Sequence, residues 1–66
     1  MTLRERKIDL AKKLVVIRKD EDFISGVLAR MDNLEKLDKL LSYMESGNRN
    51  DEEITVASIQ ISRGLV

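Results

Sequence analysis

The residues of this chain best suited to chemistry are carboxylates, which gather in two triplets. Asp20-Glu21-Asp22 lies between two apolar segments, and Asp51-Glu52-Glu53 follows a polar loop. Carboxylate oxygens are ligands that hard divalent cations prefer. Neither triplet has the spaced ligands or the glycine of a calcium loop, whereas acids are typical of the first turn of a helix. We therefore interpret both triplets as helix starts and predict no metal site.

The remaining side chains do not suit an enzyme. The chain has no histidine and no cysteine, so it lacks the most common general base and the strongest nucleophile. The same absence removes disulfides and the usual zinc and haem sites. No serine has a neighbouring base in the sequence, and the three glycines do not form a phosphate-binding loop. We predict a protein that is not an enzyme, with no catalytic residues and no cofactor.

Charge is distributed unevenly along the chain. Residues 1–19 carry seven cations against two acids, and residues 20–66 carry five cations against ten acids, so the formal net charge is zero. We favour complementarity between helices or subunits, because nucleic-acid-binding domains usually have a clear positive net charge. The alternative is a surface for nucleic acid or another polyanion. Its contacts would be Arg4, Lys7, Lys12 and Lys13.

The elements that position these charges are predicted to be helices. Thr2 and Glu5 have the spacing of a capping box, so a first helix should begin near Leu3. Its apolar residues cover about half of the helix circumference, which predicts contact with two neighbouring helices. Cations at Arg18-Lys19 followed by acids suit one helix end and the next helix start, and so predict a break there.

Residues 20–46 allow two interpretations. A single helix from Glu21 to Ser46 would form one apolar seam, interrupted by Arg30. We favour two helices, because the apolar face shifts near residues 31–33 and either Asp32 or Asn33 can cap the helix that follows. Asp32 with Glu35 has the form of a capping box. Gly26 inside the first of them indicates either close approach of another backbone or simple tolerance, at about 1 kcal/mol relative to alanine.

The third predicted helix has the clearest pattern in the chain. Its apolar residues recur at steps of three, four and three, and Gly47 stands where a left-handed residue would end the helix. A chain of 66 residues has a thin core, so such a stripe can be an internal core, a groove for a partner's helix or an assembly surface. We predict a homodimer interface made of Leu34, Leu37, Leu41 and Met44, with Leu10, Leu14 and Ile17 packing against it.

The C-terminal part is predicted to be a loop followed by a short helix. Residues 47–50 are rich in types that tolerate turns, and the helix should run from Asp51 to near Arg63-Gly64. Its β-branched residues would also permit a strand, but the chain offers no second strand for pairing.

Residues 55–66 resemble the first half of a bacterial helix-turn-helix unit, with Ile61-Ser62-Arg63 at the step that opens the recognition helix. Gln60 stands where that family usually places glycine, and Val56 where it prefers a small residue. The resemblance implies DNA binding through a recognition helix, but the sequence reaches Val66 before such a helix could enter a groove. It covers 12 residues, and we assign no family on it.

The sequence as a whole predicts an all-α fold in a single small domain, residues 1–66. Three to four short helices would form a helical hairpin or bundle, completed by homodimerisation. No apolar run approaches the ~20 residues of a membrane span, and residues 14–17 are too short for a signal-peptide core, so we expect a cytoplasmic location. The expected function is protein–protein interaction or regulation through an unidentified protein partner. The alternative is a nucleic-acid-binding or transcription-regulating protein that uses the basic first helix.

Overall fold

The computed structural model describes residues 2–65 as four helices joined by short connections. α1 spans Leu3–Ile17, α2 spans Glu21–Arg30, α3 spans Leu34–Glu45 and α4 spans Asp51–Ser62. These residues include no strand, so the predicted all-α fold is confirmed with four helices. The predicted breaks near residues 19–22 and 31–33 are also confirmed.

A polar side chain caps the start of each helix. Thr2 accepts a hydrogen bond from the N–H of Glu5 at 3.2 Å, and Asp20 caps α2. Asn50 accepts from the N–H of Glu53 at 2.8 Å and its own N–H donates back to the Glu53 carboxylate at 3.3 Å. The first N–H groups of a helix have no partner within it, so these bonds fix where each helix begins. The predicted starts near residues 3 and 51 are confirmed.

The structure selects one of the two predicted caps at the start of α3. Asn33, and not Asp32, is the cap, since its Oδ1 accepts from the N–H of Lys36 at 2.9 Å. Asp32 instead lies 3.1 Å from the ammonium of Lys36, and Glu35 pairs with Lys39. A cap reaches the N–H three residues ahead, so two adjacent capping residues give two possible registers. The expected capping box of Asp32 and Glu35 is therefore wrong.

The expected left-handed residue at Gly47 is also wrong. Among residues 2–65 the positive φ belongs to Gly64, at 73°, just after α4. α3 ends through Ser46 in the right-handed region. The carbonyl of Tyr43 accepts from the Ser46 hydroxyl at 2.8 Å and from Nε of Arg49 at 3.3 Å. Side chains thus satisfy the end of α3, and a left-handed glycine is not needed there.

The four helices surround one core. α1 packs against α2 and α3, and α4 packs against the same two helices, so the predicted contact of α1 with two neighbours is confirmed. Among residues 2–65 one buried polar side chain joins the core, Ser58, which donates to the Thr55 carbonyl at 2.7 Å and accepts from Arg30 at 3.3 Å. The buried apolar residues of this range come from all four helices and from the residue that ends α2: Leu10, Leu14, Val27, Met31, Leu37, Leu40, Leu41, Ile54, Ala57 and Ile61.

Gly26 and Gly64 should respond in opposite directions to the same substitution. A Cβ at Gly26 would meet the end of the Arg30 side chain at 3.7 Å and no other backbone, so the structure favours simple tolerance there. Gly26→Ala should raise the free energy of unfolding by about 0.5–1 kcal/mol. Gly64→Ala should lower it by about 1 kcal/mol, because alanine is strained at positive φ.

Urea unfolding followed by circular dichroism measures both changes. A loss of stability in Gly26→Ala would contradict the open environment of that position. A gain in Gly64→Ala would contradict the left-handed end of α4.

Candidate docking groove on the first two helices

The predicted assembly stripe lies mostly inside the chain. Leu10, Leu14 and Leu37 are fully buried, and Leu41 is 6% exposed. Ile17 and Met44 are half-buried against this core, and Leu34 is 41% exposed. The structure therefore brings the predicted residues of α1 and α3 together within a single chain, and Leu34 is the member most open to solvent. Self-association through this stripe stays a prediction.

Leu40 is a core residue that the predicted set omits. It is fully buried, although it lies off the regular stripe of α3. The signal in the sequence is its place three residues after Leu37, which puts both on one side of the helix. With Leu40 and Leu41 adjacent, the apolar side of α3 is wide enough to contact both α1 and α4.

Substitutions at Leu37 and Leu34 should separate core from surface. Leu37→Ala should lower the free energy of unfolding by about 2–5 kcal/mol, because it leaves a cavity in the core. Leu34→Ala should change it by less than about 0.5 kcal/mol in the monomer. Thermal unfolding by circular dichroism at low protein concentration measures both. Equal losses for the two variants would contradict the assignment of Leu37 to the core and Leu34 to the surface.

The outer side of α1 and α2 forms an apolar groove. Ile8 on α1 is 50% exposed, and Val15 further along the same side is 44% exposed. Leu28 of α2 lines the same opening as Ile8, and the opening has a volume of about 540 Å³. Its lining consists of Leu3, Arg4, Lys7, Ile8, Ala11 and Leu28. Leu28 also borders a second depression along α2, which includes Ile24, so the apolar surface continues along both helices.

The cations of α1 and of the turn after it form two groups with different surroundings. Arg6 pairs with Asp38 of α3 at 3.5 Å, and Lys13 pairs with Glu45 of α3 at 3.1 Å. These pairs tie α1 to its neighbour. The side chains of the second group make no ion pair or hydrogen bond among residues 2–65. This group consists of Arg4, Lys7, Lys12 and Lys19. Arg4 and Lys7 of this group border the apolar groove.

The predicted polyanion contacts are therefore divided by the fold. Arg4, Lys7 and Lys12 lie on α1 with no acidic partner in the described part of the chain. Lys13 lies between Asp9 and Glu45, at 3.8 and 3.1 Å. Sequence reasoning omitted Lys19 from the polyanion contacts, because it interpreted Arg18-Lys19 only as the charged end of the first helix. The acids that follow lie at the start of α2, as that interpretation predicts.

Arg18 connects the end of α1 to the starts of two other helices. Its guanidinium lies 3.0 Å from the carboxylate of Asp20 and donates to the carboxylate of Asp51. The hydrogen bond from Arg18 is the main reason that the pKa of Asp51 is lowered from its usual value. A charged Asp51 is thus favoured in the folded protein, and it lies in the first turn of α4, where the helix dipole also favours an acid.

The Arg18–Asp51 contact should make stability depend on pH. Because the pKa of Asp51 is lower in the folded protein, its contribution is present above about pH 4, the usual pKa of an aspartate, and is lost as the pH falls further. Asp51→Asn should therefore be less stable than wild type at neutral pH, and the difference should shrink in acid. Glu21→Gln is the matched control, since Glu21 is also the first residue of its helix and makes no ion pair among residues 2–65.

Urea unfolding at a series of pH values measures this difference. Two results would contradict the role of Arg18. One is a difference in the free energy of unfolding between wild type and Asp51→Asn that stays constant from neutral pH to well below about pH 4. The other is the same pH-dependent difference in Glu21→Gln.

Each acidic triplet has members with structural partners, and so do three of the serines. Asp20 caps α2, and Glu53 completes the capping box of α4. Within residues 2–65 no three acidic side chains are close enough together to hold a metal ion. The hydroxyls of Ser46, Ser58 and Ser62 each donate to a carbonyl three residues earlier. The arrangement offers binding through apolar and basic side chains.

Comparison with models of protein families, with curated proteins and with solved structures found no match to this chain. None of the four helices in the described range has the length and apolar character that crossing a membrane requires. The helix-turn-helix resemblance meets a structural difference, because residues 61–63 close α4 and do not open a helix.

Proposed function

We propose that this protein is a non-enzymatic interaction module and that its α1/α2 groove binds an amphipathic helix of a partner protein with acidic residues along one edge. The supporting observation is the combination of an apolar groove with the unpaired cations Arg4 and Lys7 at its border. Helices bind such grooves through apolar residues spaced about one turn apart. Acids beside those residues would meet the two cations and orient the partner.

Charge argues against a second copy of the chain as the occupant of this groove. Two α1 helices placed face to face would bring Arg4, Lys7, Lys12 and Lys19 of both copies together. Like charges across an interface oppose association and suppress wrong partners. An acidic partner replaces this repulsion by attraction, so the groove favours a helix of a different protein.

Nucleic acid is the second candidate, and the same cations support it. A row of unpaired cations along α1 would attract phosphates of either DNA or RNA. The groove between the helices is lined by aliphatic carbons and contains no aromatic side chain for stacking on bases. Apolar residues such as Ile8 and Leu28 contribute little to phosphate contacts, so the protein partner explains more of the surface.

Binding should be tested with designed peptides, because their charge can be reversed while their apolar residues stay fixed. The probes are a fluorescent amphipathic helix edged with glutamate, the same helix edged with lysine, and a DNA duplex. Fluorescence anisotropy should show that the glutamate peptide binds wild type more tightly than the lysine peptide, and that salt weakens this binding. Ile8→Asp should abolish it. Val16→Asp is the matched control, since Val16 is 86% exposed and lies off the groove.

Reversal of the groove's charge provides the sharper check. Arg4→Glu with Lys7→Glu should exchange the preference, so that the lysine peptide binds more tightly. Equal binding of both peptides to wild type would contradict the proposal. Tight binding of the DNA duplex that survives Ile8→Ala but fails after the charge reversal would favour the nucleic-acid candidate.

A regulatory role would follow from this binding if the captured helix also serves another partner. A cytoplasmic location remains our expectation. Self-association through α3 is not part of the proposal, because Leu37 and Leu41 would have to leave the core to reach a second chain.

A further inference from the structure

The outer face of α4 is unlike that of the other helices. Glu52, Val56, Ile59 and Arg63 share the side of the helix that faces away from the core, as their spacing of four, three and four requires. Val56 is 54% exposed, Glu52 and Arg63 are exposed, and Ile59 is half-buried. The face therefore has an acid at its start, two apolar side chains in its middle and a cation at its end.

Glu52 and Arg63 have no partner within the described chain. Neither makes an ion pair or a hydrogen bond through its side chain among residues 2–65. The neighbouring charges of α4 differ, since Asp51 is bound by Arg18 and Glu53 lies 3.7 Å from Arg49. The two unpaired charges lie at opposite ends of the same face. The face is therefore complementary in charge to an identical face that runs in the opposite direction.

We propose that this face binds a second copy of the chain, with the two α4 helices antiparallel. A two-fold axis between residues 57 and 58 places Val56 against Ile59 of the second copy, and Glu52 against Arg63 of the second copy. The symmetry repeats each contact, so the pairing has two apolar contacts and two ion pairs. Antiparallel helices also set opposite ends of their dipoles side by side.

The surface beside this face has an opening that can accept side chains. An opening of about 400 Å³ lies between α3 and α4, and Tyr43, Val56 and Gln60 contribute to its lining. Side chains of the second copy could enter it beside α4. The contact is essentially one helix against another, at the low end of specific interface sizes. The dimer should accordingly be weak and should form as concentration rises.

Exchange of the two charges tests the pairing directly. Sedimentation equilibrium of wild type from micromolar to millimolar concentration should show a monomer–dimer equilibrium. Glu52→Arg alone and Arg63→Glu alone should each weaken it by about tenfold or more, because attraction becomes repulsion in both ion pairs. An equimolar mixture of the two variants should associate again, since both ion pairs in the mixed dimer join an arginine and a glutamate.

The matched control is Asp22→Arg. Asp22 is the second residue of α2, as Glu52 is of α4, and it also makes no ion pair among residues 2–65. The Asp22→Arg variant therefore also replaces an acid by a cation in the first turn of a helix, but it leaves the α4 face unchanged. Its dimerisation constant should equal that of wild type. Circular dichroism on every sample verifies that the variants are folded.

Three results would overturn the inference. They are a wild type that stays monomeric at every concentration, a dimer that neither single variant weakens, and a mixture that associates no better than its separate components. Peptide binding in the α1/α2 groove depends on none of these residues, so the two proposals succeed or fail separately.

Discussion

The structure depends on one constraint: four short helices must bury enough apolar surface to hold a small chain together without disulfides. The ten buried apolar residues come from all four helices, and each helix packs against two others. Removing any one helix would expose two sides of the core at once. Helices of 10 to 15 residues are marginal in isolation, so their stability comes from this shared core. The polar surfaces can then vary without changing the fold.

The cations of α1 and of the turn after it have two roles: some form ion pairs with other helices, and the rest lie on the surface without a partner among residues 2–65. Arg6, Lys13 and Arg18 face acids of other helices and fix how α1 lies against α3 and α4. These exposed pairs contribute little individually, about 0–1 kcal/mol each, and act mainly on orientation. Arg4, Lys7, Lys12 and Lys19 are left facing solvent. The positive charge of the first helix is therefore not a single feature, since only the cations beside acids of other helices take part in intramolecular ion pairs.

The helices themselves were predictable from the sequence because their caps are local. Thr2 with Glu5 and the acids after Asn50 mark helix starts through bonds that span three residues. The cap of α3 stayed open between Asp32 and Asn33 at the level of sequence, because either of two adjacent capping residues can begin a helix. The function of the apolar stripe on α3 needed the tertiary structure, since the same spacing suits a core or an interface. The pairing of Lys13 with Glu45 joins residues 32 positions apart, and no local pattern indicates it.

The two proposed surfaces share no residue. The groove is lined by residues of α1 and α2, and the opening beside the outer face of α4 is lined by residues of α3 and α4. A dimer through α4 would present two basic grooves, one from each copy. A partner with two acidic helices could then bind both, and its second contact would be intramolecular, which raises the overall affinity when the spacing between its helices allows both to bind. Weak self-association is sufficient for this effect, because the partner itself would hold the two copies together.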